Sequence, residues 1–494
     1  MSHEKSKRIE LGWSTFPISE LLAPFEDGRT LHQGWSPRCE KEPSRSENEW
    51  GVLKTTSIQP AAFLPEHNKR LPDHLDPRPK IEVKPGDVLI TCAGPRNRCG
   101  IACLVRATRR RLMMSGKMYR FRPDPLRIDP RYLEAYLQTG IAQAAIDEMK
   151  TGGNESGLNL THDRFRKLLV PVAPFHQQKR IVAEIEKHFS RLDKAVSNLK
   201  RVKANLKRYK TSVLKAAVEG RLVETEAELA CRERRSYETG AQLLQRILET
   251  RRSQWKGKGK YKEPAAPDTT DLPELPEGWV WASVGYLGDV IGGLTKNPKR
   301  AAHPMKLPYL RVANVYANEL RLEEIEEIGV QKSELEKLLV LKDDLLIVEG
   351  NGSPEQIGRL AIWDGSISPC VHQNHLIKVR LPTECLPKWV VCWLMSPDGR
   401  TCIRNVSSST SGLYTLSVGK VSGLLVPLPP LAEQQRIVAE VERRFSRTDV
   451  LEAQVNANFM RAEGLRQSIL SRAFSGQPQL ILCAAQEMEI HAHG

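Results

Sequence analysis

Three groups of residues in this chain have types that could do chemistry, and a fourth could grip a polyanion. His372 and His375, in CVHQNHLIKVR, stand three apart, a spacing that on a helix would aim both at one metal ion. Their flanks (Val371, Leu376, Ile377, Val379) read as a strand, where such positions point to opposite faces. Core or hydrogen-bonding histidines are therefore expected, and no metal site. Gly350, Gly352 and Gly358 follow the apolar run 345–348, as phosphate-binding glycines follow a strand. A dinucleotide cradle needs a helix next, but 357–363 is apolar and β-branched and Pro354 intervenes, so a hairpin loop is predicted. Cys92, Cys99 and Cys103 lack a fourth ligand, and none of the ten cysteines forms a C-x-x-C pair; reduced thiols are expected. The Gly-Lys-Gly-Lys run at 257–260 lacks the spacing of a P-loop. There is no G-x-S-x-G elbow, and neither tetrapeptide of an adenine methyltransferase. No enzyme centre is expected.

The fourth group is basic. Arg96, Arg98, Arg106, Arg109, Arg110 and Arg111 crowd one predicted hairpin, and Lys296, Lys299, Arg300 and Arg311 lie in the second half. Such side chains position phosphates or, where they reach base edges, read sequence. The whole chain agrees in sign: 494 residues carry a net charge of +15, with 40% hydrophobic and 27% charged residues. Length allows about three domains at ~150 residues each. The basic balance favours a polyanionic partner, with nucleic acid foremost. No apolar run has the ~18 residues of a membrane span, and the start has no signal-peptide stretch. A cytoplasmic protein without a membrane partner is predicted.

The elements that position these residues are written twice. LVPVAPFHQQKRIVAEIEKHFSRLD at 169–193 and LVPLPPLAEQQRIVAEVERRFSRTD at 425–449 share 15 of 25 positions at a shift of 256. VKPGDVLIT from Val83 answers VLKDDLLIV from Val340, LKTTSI from Leu53 answers LRVANV from Leu310, and Trp13 is matched to Trp281. A period this long means duplication of a domain pair rather than a solenoid. Each copy has a mixed region with strand-like runs such as 87–91, and helices over 130–149 and 387–395. A Pro-rich hinge follows, then a helix of about 40 residues.

Ile185, Phe189, Leu192, Val196, Leu199, Val202, Leu206, Tyr209 and Val213 step by four and three along the first long helix, a coiled-coil stripe. The second keeps Val441, Phe445, Val455, Ala462, Leu465 and Ile469 but seats Thr448, Glu452 and Asn458 in the seam. Antiparallel pairing of the two helices, each ~60 Å long, is expected. Residues 176–216 hold 12 Lys/Arg against 3 Asp/Glu, and 432–472 hold 7 against 6. The fold expected is α+β (mixed α/β): two globular domains joined by two long helices in an antiparallel coiled coil, an internal pseudo-two-fold repeat. Its parts are 1–174, a first domain; 175–222, a long helix; 223–275, a helical segment and Pro-rich linker; 276–430, a second domain; 431–476, a second long helix; and 477–494, a tail.

The repeated Q-x-R-I-V-A-E after each Pro-rich hinge, LPEGWVW at 275–281, PYLRVANV at 308–315 and HQNHLIKVR at 372–380 resemble the specificity subunit of type I restriction–modification enzymes. The resemblance covers nearly the whole chain. It implies a non-catalytic subunit that binds a bipartite double-stranded DNA target, one half-site per recognition domain, with the helix pair as a spacer ruler. It implies docking of two modification subunits, which methylate adenine, and of restriction subunits, which are ATP-dependent nucleases. S-adenosylmethionine, ATP and Mg would belong to those partners, with no cofactor or metal in this chain. Arg96, Arg98, Arg109, Arg110, Arg111, Lys296, Lys299, Arg300 and Arg311 become DNA-binding candidates. Pro171, Pro174, Arg180, Pro427, Pro430 and Arg436 become subunit-docking candidates. Competing readings are a coiled-coil adaptor presenting two protein-binding domains, a single-strand or RNA binder, and a stand-alone methyltransferase. The 6% aromatic content without basic–aromatic interleaving weighs against the second, and the missing tetrapeptide against the third.

Overall fold

The structure, a computed structural model, describes residues 12–255, 260–270, 272–410 and 412–475; the tail at 477–494 lies outside the described residues. The chain forms two compact units. One comprises residues up to Lys200 together with those from Asn456 onward, and the other is Arg201–Val455. The long helices are thus shared out between the units instead of standing as separate segments.

In the first unit, β1 (Ser14–Pro17) is followed by β2 (Leu22–Ala23), β3 (Gly51–Leu53), β4 (Asn68–Arg70), β5 (Val88–Thr91), β6 (Ala93–Gly94), β7 (Ala102–Leu104), β8 (Leu112–Met113) and β9 (Met118–Pro123). Helices α1 (Pro130–Leu137) and α2 (Gly140–Met149), strands β10 (Lys150–Thr151), β11 (Leu158–Leu160) and β12 (Leu169–Val172), and the long α3 (Phe175–Val218) complete it. The helix predicted over 130–149 is two helices, because the Thr139 hydroxyl accepts from the Ala142 amide and starts a new one. The central sheet runs β7-β5-β9-β2, beside three-stranded sheets β8-β3-β4 and β10-β11-β6 and the ribbon β1-β12.

The second unit repeats this order. After α4 (Glu226–Glu233) and α5 (Gly240–Ser253) come β13 (Val280–Ser283), β14 (Asp289–Gly292), β15 (Lys306–Leu310), β16 (Glu326–Gly329), β17 (Leu345–Val348), β18 (Gly350–Asn351), β19 (Leu360–Ile362), β20 (Val371–His372) and β21 (Leu376–Arg380). Then follow α6 (Pro387–Met395), α7 (Pro397–Val406), β22 (Ser408–Thr410), β23 (Leu413–Thr415), β24 (Leu425–Leu428) and α8 (Leu431–Ala473). Its sheets, β19-β17-β21-β14, β20-β15-β16, β18-β23-β22 and β13-β24, repeat the order of those in the first unit, including the parallel pairs β3/β8 and β15/β20, while the first unit adds a short fifth strand (His32–Gln33) to its central sheet and a hairpin at 58–63. The glycines at 350–358 lie in the hairpin between antiparallel β17 and β19, as the sequence predicted.

Two expectations change. Trp13 donates its indole N–H to Gln177 (3.1 Å), and the same bond in the second unit runs from Trp279 to Glu433 (3.0 Å), so Trp13 matches Trp279 and not Trp281. The single helical segment expected after the first long helix is two helices. Both α4 and α5 begin with capping boxes, Thr225/Glu228 and Thr239/Gln242, and α5 buries Leu243 and Ile247 completely in the second core.

Within each unit the long helices lie antiparallel. Ile181, Val182 and Ile185 share the first core with Ile469, Leu470 and Ala473; Val213, Leu214 and Ala217 share the second with Ile437, Val438 and Val441. One contact recurs at the 256-residue shift. Arg466 pairs with Asp193 and lies 4.3 Å from the Phe189 ring, while Lys210 pairs with Asp449 (2.7 Å) and faces Phe445. Not every stripe residue is buried: Val202 and Tyr209 are 43% and 44% exposed.

Candidate nucleic-acid interface

Each domain is fastened to its helix by the repeated motif. Gln178 and Gln434 are buried. Gln178 donates to the Ala173 carbonyl (2.8 Å) and accepts from the Asp129 amide (2.8 Å); Gln434 donates to Pro429 (2.9 Å) and accepts from Leu386 (3.3 Å). Gln434→Ala strands a buried amide and carbonyl, so it should lower stability by about 1–3 kcal/mol, read as a shifted denaturant midpoint; an unshifted midpoint would show the joint is held elsewhere.

The hinge prolines belong to this joint. Pro171 and Pro427 are buried in the two-stranded ribbons, where a missing N–H is tolerated, and their carbonyls accept from Tyr132 (2.9 Å) and Trp389 (2.8 Å). Pro430 is buried as well, and its carbonyl accepts the Gln434 amide. Pro174 is half-buried. Arg436 is spent on the buried Glu226 carboxylate (2.6 Å), whereas Arg180 is exposed and carries no bonded partner. Burial pushes the Glu226 carboxyl up, but Arg436 and Arg235 outweigh it and hold it below the usual range. Of the six docking candidates, Arg180 and Pro174 have side chains open to a partner.

The DNA-binding candidates divide in the same way. Arg109 donates to the Ser44, Ser46 and Glu49 carbonyls, and Arg111 to that of Asn48, so both fasten the connection 35–50. Arg98 holds the Thr55 and Ile58 carbonyls (2.6 and 2.8 Å), and Arg106 pairs with the buried Glu134 (2.6 Å). Arg96 bridges Asp147 and Glu155, which raises its pKa further. In the second unit Arg300 grips Glu334 with both terminal nitrogens (3.0 Å), while Arg311 and Lys296 share Glu326 (2.5 and 2.6 Å). Arg110 and Lys299 are exposed and unpaired. On α3, Arg180, Lys187, Lys194, Arg201, Arg208 and Lys215 are all exposed at intervals of seven; the matching positions of α8 include Val450, Ala457, Gly464 and Ser471.

Each unit also buries a cation that the sequence pattern concealed. Arg120 donates to the Lys80 and Glu82 carbonyls, beside the buried Asp87 that binds Arg122 (2.7 Å). Lys378 donates to Lys337 and Leu339 (2.8 and 2.6 Å), beside the buried Asp344 that binds Arg380 (2.6 Å). Burial, helped by Arg380, lowers the Lys378 ammonium to about 8.

His372 and His375 do not converge. His372 is buried in β20 and pushed down to about 4 by burial and Lys378, while His375 is exposed and pairs with Glu349 (3.0 Å). Among the described residues no three His, Cys, Asp or Glu could hold a metal ion. A histidine kept neutral in the fold takes up a proton on unfolding between about 6.5 and 4, so its contribution to stability is lost as pH falls through that window. Met114 occupies the equivalent, equally buried place in the first unit. His372→Met should therefore relieve up to about 3 kcal/mol of acid destabilisation; parallel stability–pH curves for the two proteins would refute this.

The arrangement is two equivalent α+β units, polar and partly basic outside, each locked to both helices. The hairpin tips 152–157 and 95–100 of the first unit are tied together by Arg96 and Glu155, and Arg400 holds the loop carbonyls of Glu355, Ile357 and Gly358 in the second. No family model matches the chain. The specificity subunit of the type I restriction enzyme EcoKI of Escherichia coli strain K12 is 24% identical over 475 residues, spanning 93% of this chain and 89% of that protein. The chain is similar over nearly its whole length to type I restriction enzyme specificity subunits. The EcoEI specificity subunit of Escherichia coli is 37% identical over 190 residues, which is 38% of this chain and 31% of that protein. A solved chain from work on assembly and conformational transition of the type I R-M system covers 94% of this chain and 98% of its own length, with a TM-score of 0.60 at 17% identity, a likeness of fold. The repeat that organises the sequence also organises the tryptophan, glutamine and proline joints of both units, whereas the Arg436–Glu226 pair belongs to the second alone.

Proposed function

We propose that this specificity-subunit relative selects the DNA sequence on which a type I restriction–modification complex acts. Each α+β unit reads one half of a bipartite duplex target, and the helix pair fixes the unread gap. Two modification subunits and the restriction subunits dock on the same chain and bring S-adenosylmethionine, ATP and Mg, so this subunit performs no catalysis. The observation that carries the reading is one skeleton built twice, with the tryptophan and glutamine bonds of the domain-to-helix joint repeated and the exposed connections unrelated in sequence. The net charge of +15 supports a phosphate-rich partner. No helix among the described residues is long and apolar enough to cross a membrane, which agrees with work in the cytoplasm.

The test is binding of the chain, co-purified with its modification subunits, to duplex DNA over a salt series. Affinity should fall steeply and log-linearly with salt, as displacement of counterions from phosphates requires. Salt-insensitive assembly with proteins and no retained duplex would instead establish the coiled-coil adaptor.

A further inference from the structure

Two units that share a skeleton but read different half-sites must differ where side chains are both exposed and held still. The connections 35–50 and 294–305 meet that description. They begin at equivalent glycines, Gly34 and Gly293, each pressed against two carbonyls of the neighbouring strand's end, and they end in equivalent strands β3 and β15. Between those anchors WSPRCEKEPSRSENEW and LTKNPKRAAHPM have no common pattern.

Both are pinned to the edge of a three-stranded sheet. The first makes backbone bonds with Arg70 on β4, from the Glu40 amide (3.1 Å) and to the Glu42 carbonyl (3.0 Å). Arg109 and Arg111 clamp the carbonyls of Ser44, Ser46, Asn48 and Glu49, and Asn68 binds both the amide and the carbonyl of Ser44. The second is clamped by Arg300, which reaches Thr295 and Gly329 carbonyls and Glu334. This fixing leaves Arg38, Lys41 and Arg45 on the first connection, and Lys299 on the second, exposed and unpaired. The first connection carries three cations against four glutamates, so it is not a phosphate track. Mixed charge of this kind suits base edges, where arginine meets guanine and glutamate meets cytosine. Arg78 stacked 4.1 Å over Trp35 stiffens its base.

We propose that 35–50 and 294–305 are the base-reading segments of the two units, with Arg38 and Arg45 contacting base edges of one half-site and Lys299 of the other. Arg109, Arg111 and Arg300 are positioning residues. This rests on the DNA-specificity reading above.

The test uses the full chain co-expressed with its modification subunits, and methylated adenines mapped on genomic DNA. The unaltered chain must first yield a bipartite motif; if it does not, the DNA-specificity reading fails before this one is reached. R38Q/R45Q should then relax preference about tenfold or more at one or two base pairs of one half-site, leaving the other half and the gap untouched, and K299Q should do the converse. Unchanged motifs overturn the assignment. So does a uniform loss of methylation at all sites, which marks phosphate contacts. A matching melting temperature for each variant, compared with the unaltered chain, excludes loss of folding as the cause.

Discussion

Removing one heptad from each long helix, residues 198–204 and 454–460, should leave the bases of both half-sites unchanged and shorten the methylated motif's gap by about three base pairs. Seven residues are nearly two full turns, so the faces that meet across the pair stay in phase within about 20°. The lost rise is about 10.5 Å at 1.5 Å per residue, against 3.4 Å per base pair along the duplex. The terminal contacts survive the deletion. Asp193 with Arg466, Lys210 with Asp449, and the buried Gln178 and Gln434 all lie outside the deleted blocks. Methylome mapping of the doubly shortened protein reads the gap directly. A changed half-site, or an unchanged gap, would remove the helices from the role of spacer.

The second large effect is expected from a single methyl group. A Cβ on Gly34 would lie 2.4 and 2.3 Å from the Met114 and Ser115 carbonyl oxygens, and on Gly293 2.3 and 2.4 Å from those of His372 and Gln373. These neighbours are backbone and cannot swing aside, so the strand must move or the connection must lift. Gly34→Ala and Gly293→Ala should each cost about 3 kcal/mol, seen as a melting temperature lowered by several degrees. Protease sensitivity should appear in the altered unit alone. A melting temperature within a degree of the parent would mean the two connections are not seated on those carbonyls. Because the same connections carry the proposed base-reading residues, the glycine variants should also blur one half-site each.

Much of the fold was written in period and repetition. The heptad stripe and the shared 25-residue segment revealed the helices, the hinge and the duplication, because burying an apolar edge constrains spacing more tightly than identity. The partner of Trp13 was hidden by a ten-residue change of register: Trp279 stands one residue before β13 as Trp13 stands one residue before β1, and Trp281 lies within the strand. The packing of α4 and α5 was signalled by Thr225-x-x-Glu228 and Thr239-x-x-Gln242, whose capping chemistry is local and readable. The site was less legible. A cluster such as Arg96 to Arg111 looks like a phosphate surface in sequence, yet Arg98, Arg109 and Arg111 spend their donors on carbonyls far along the chain. Likewise, Lys378 inside LIKVR gives no sign of the Lys337 and Leu339 carbonyls that make its burial tolerable. Composition reports charge; only tertiary contacts say whether that charge faces water.

The measurement that bears most directly on the central claim is single-molecule mapping of methylated adenines after co-expression of the chain with a candidate type I modification subunit. A bipartite motif, two short specified half-sites separated by a constant unread gap, is the predicted result. A single contiguous motif, or methylation without sequence preference, would contradict the account of two readers held at a fixed separation.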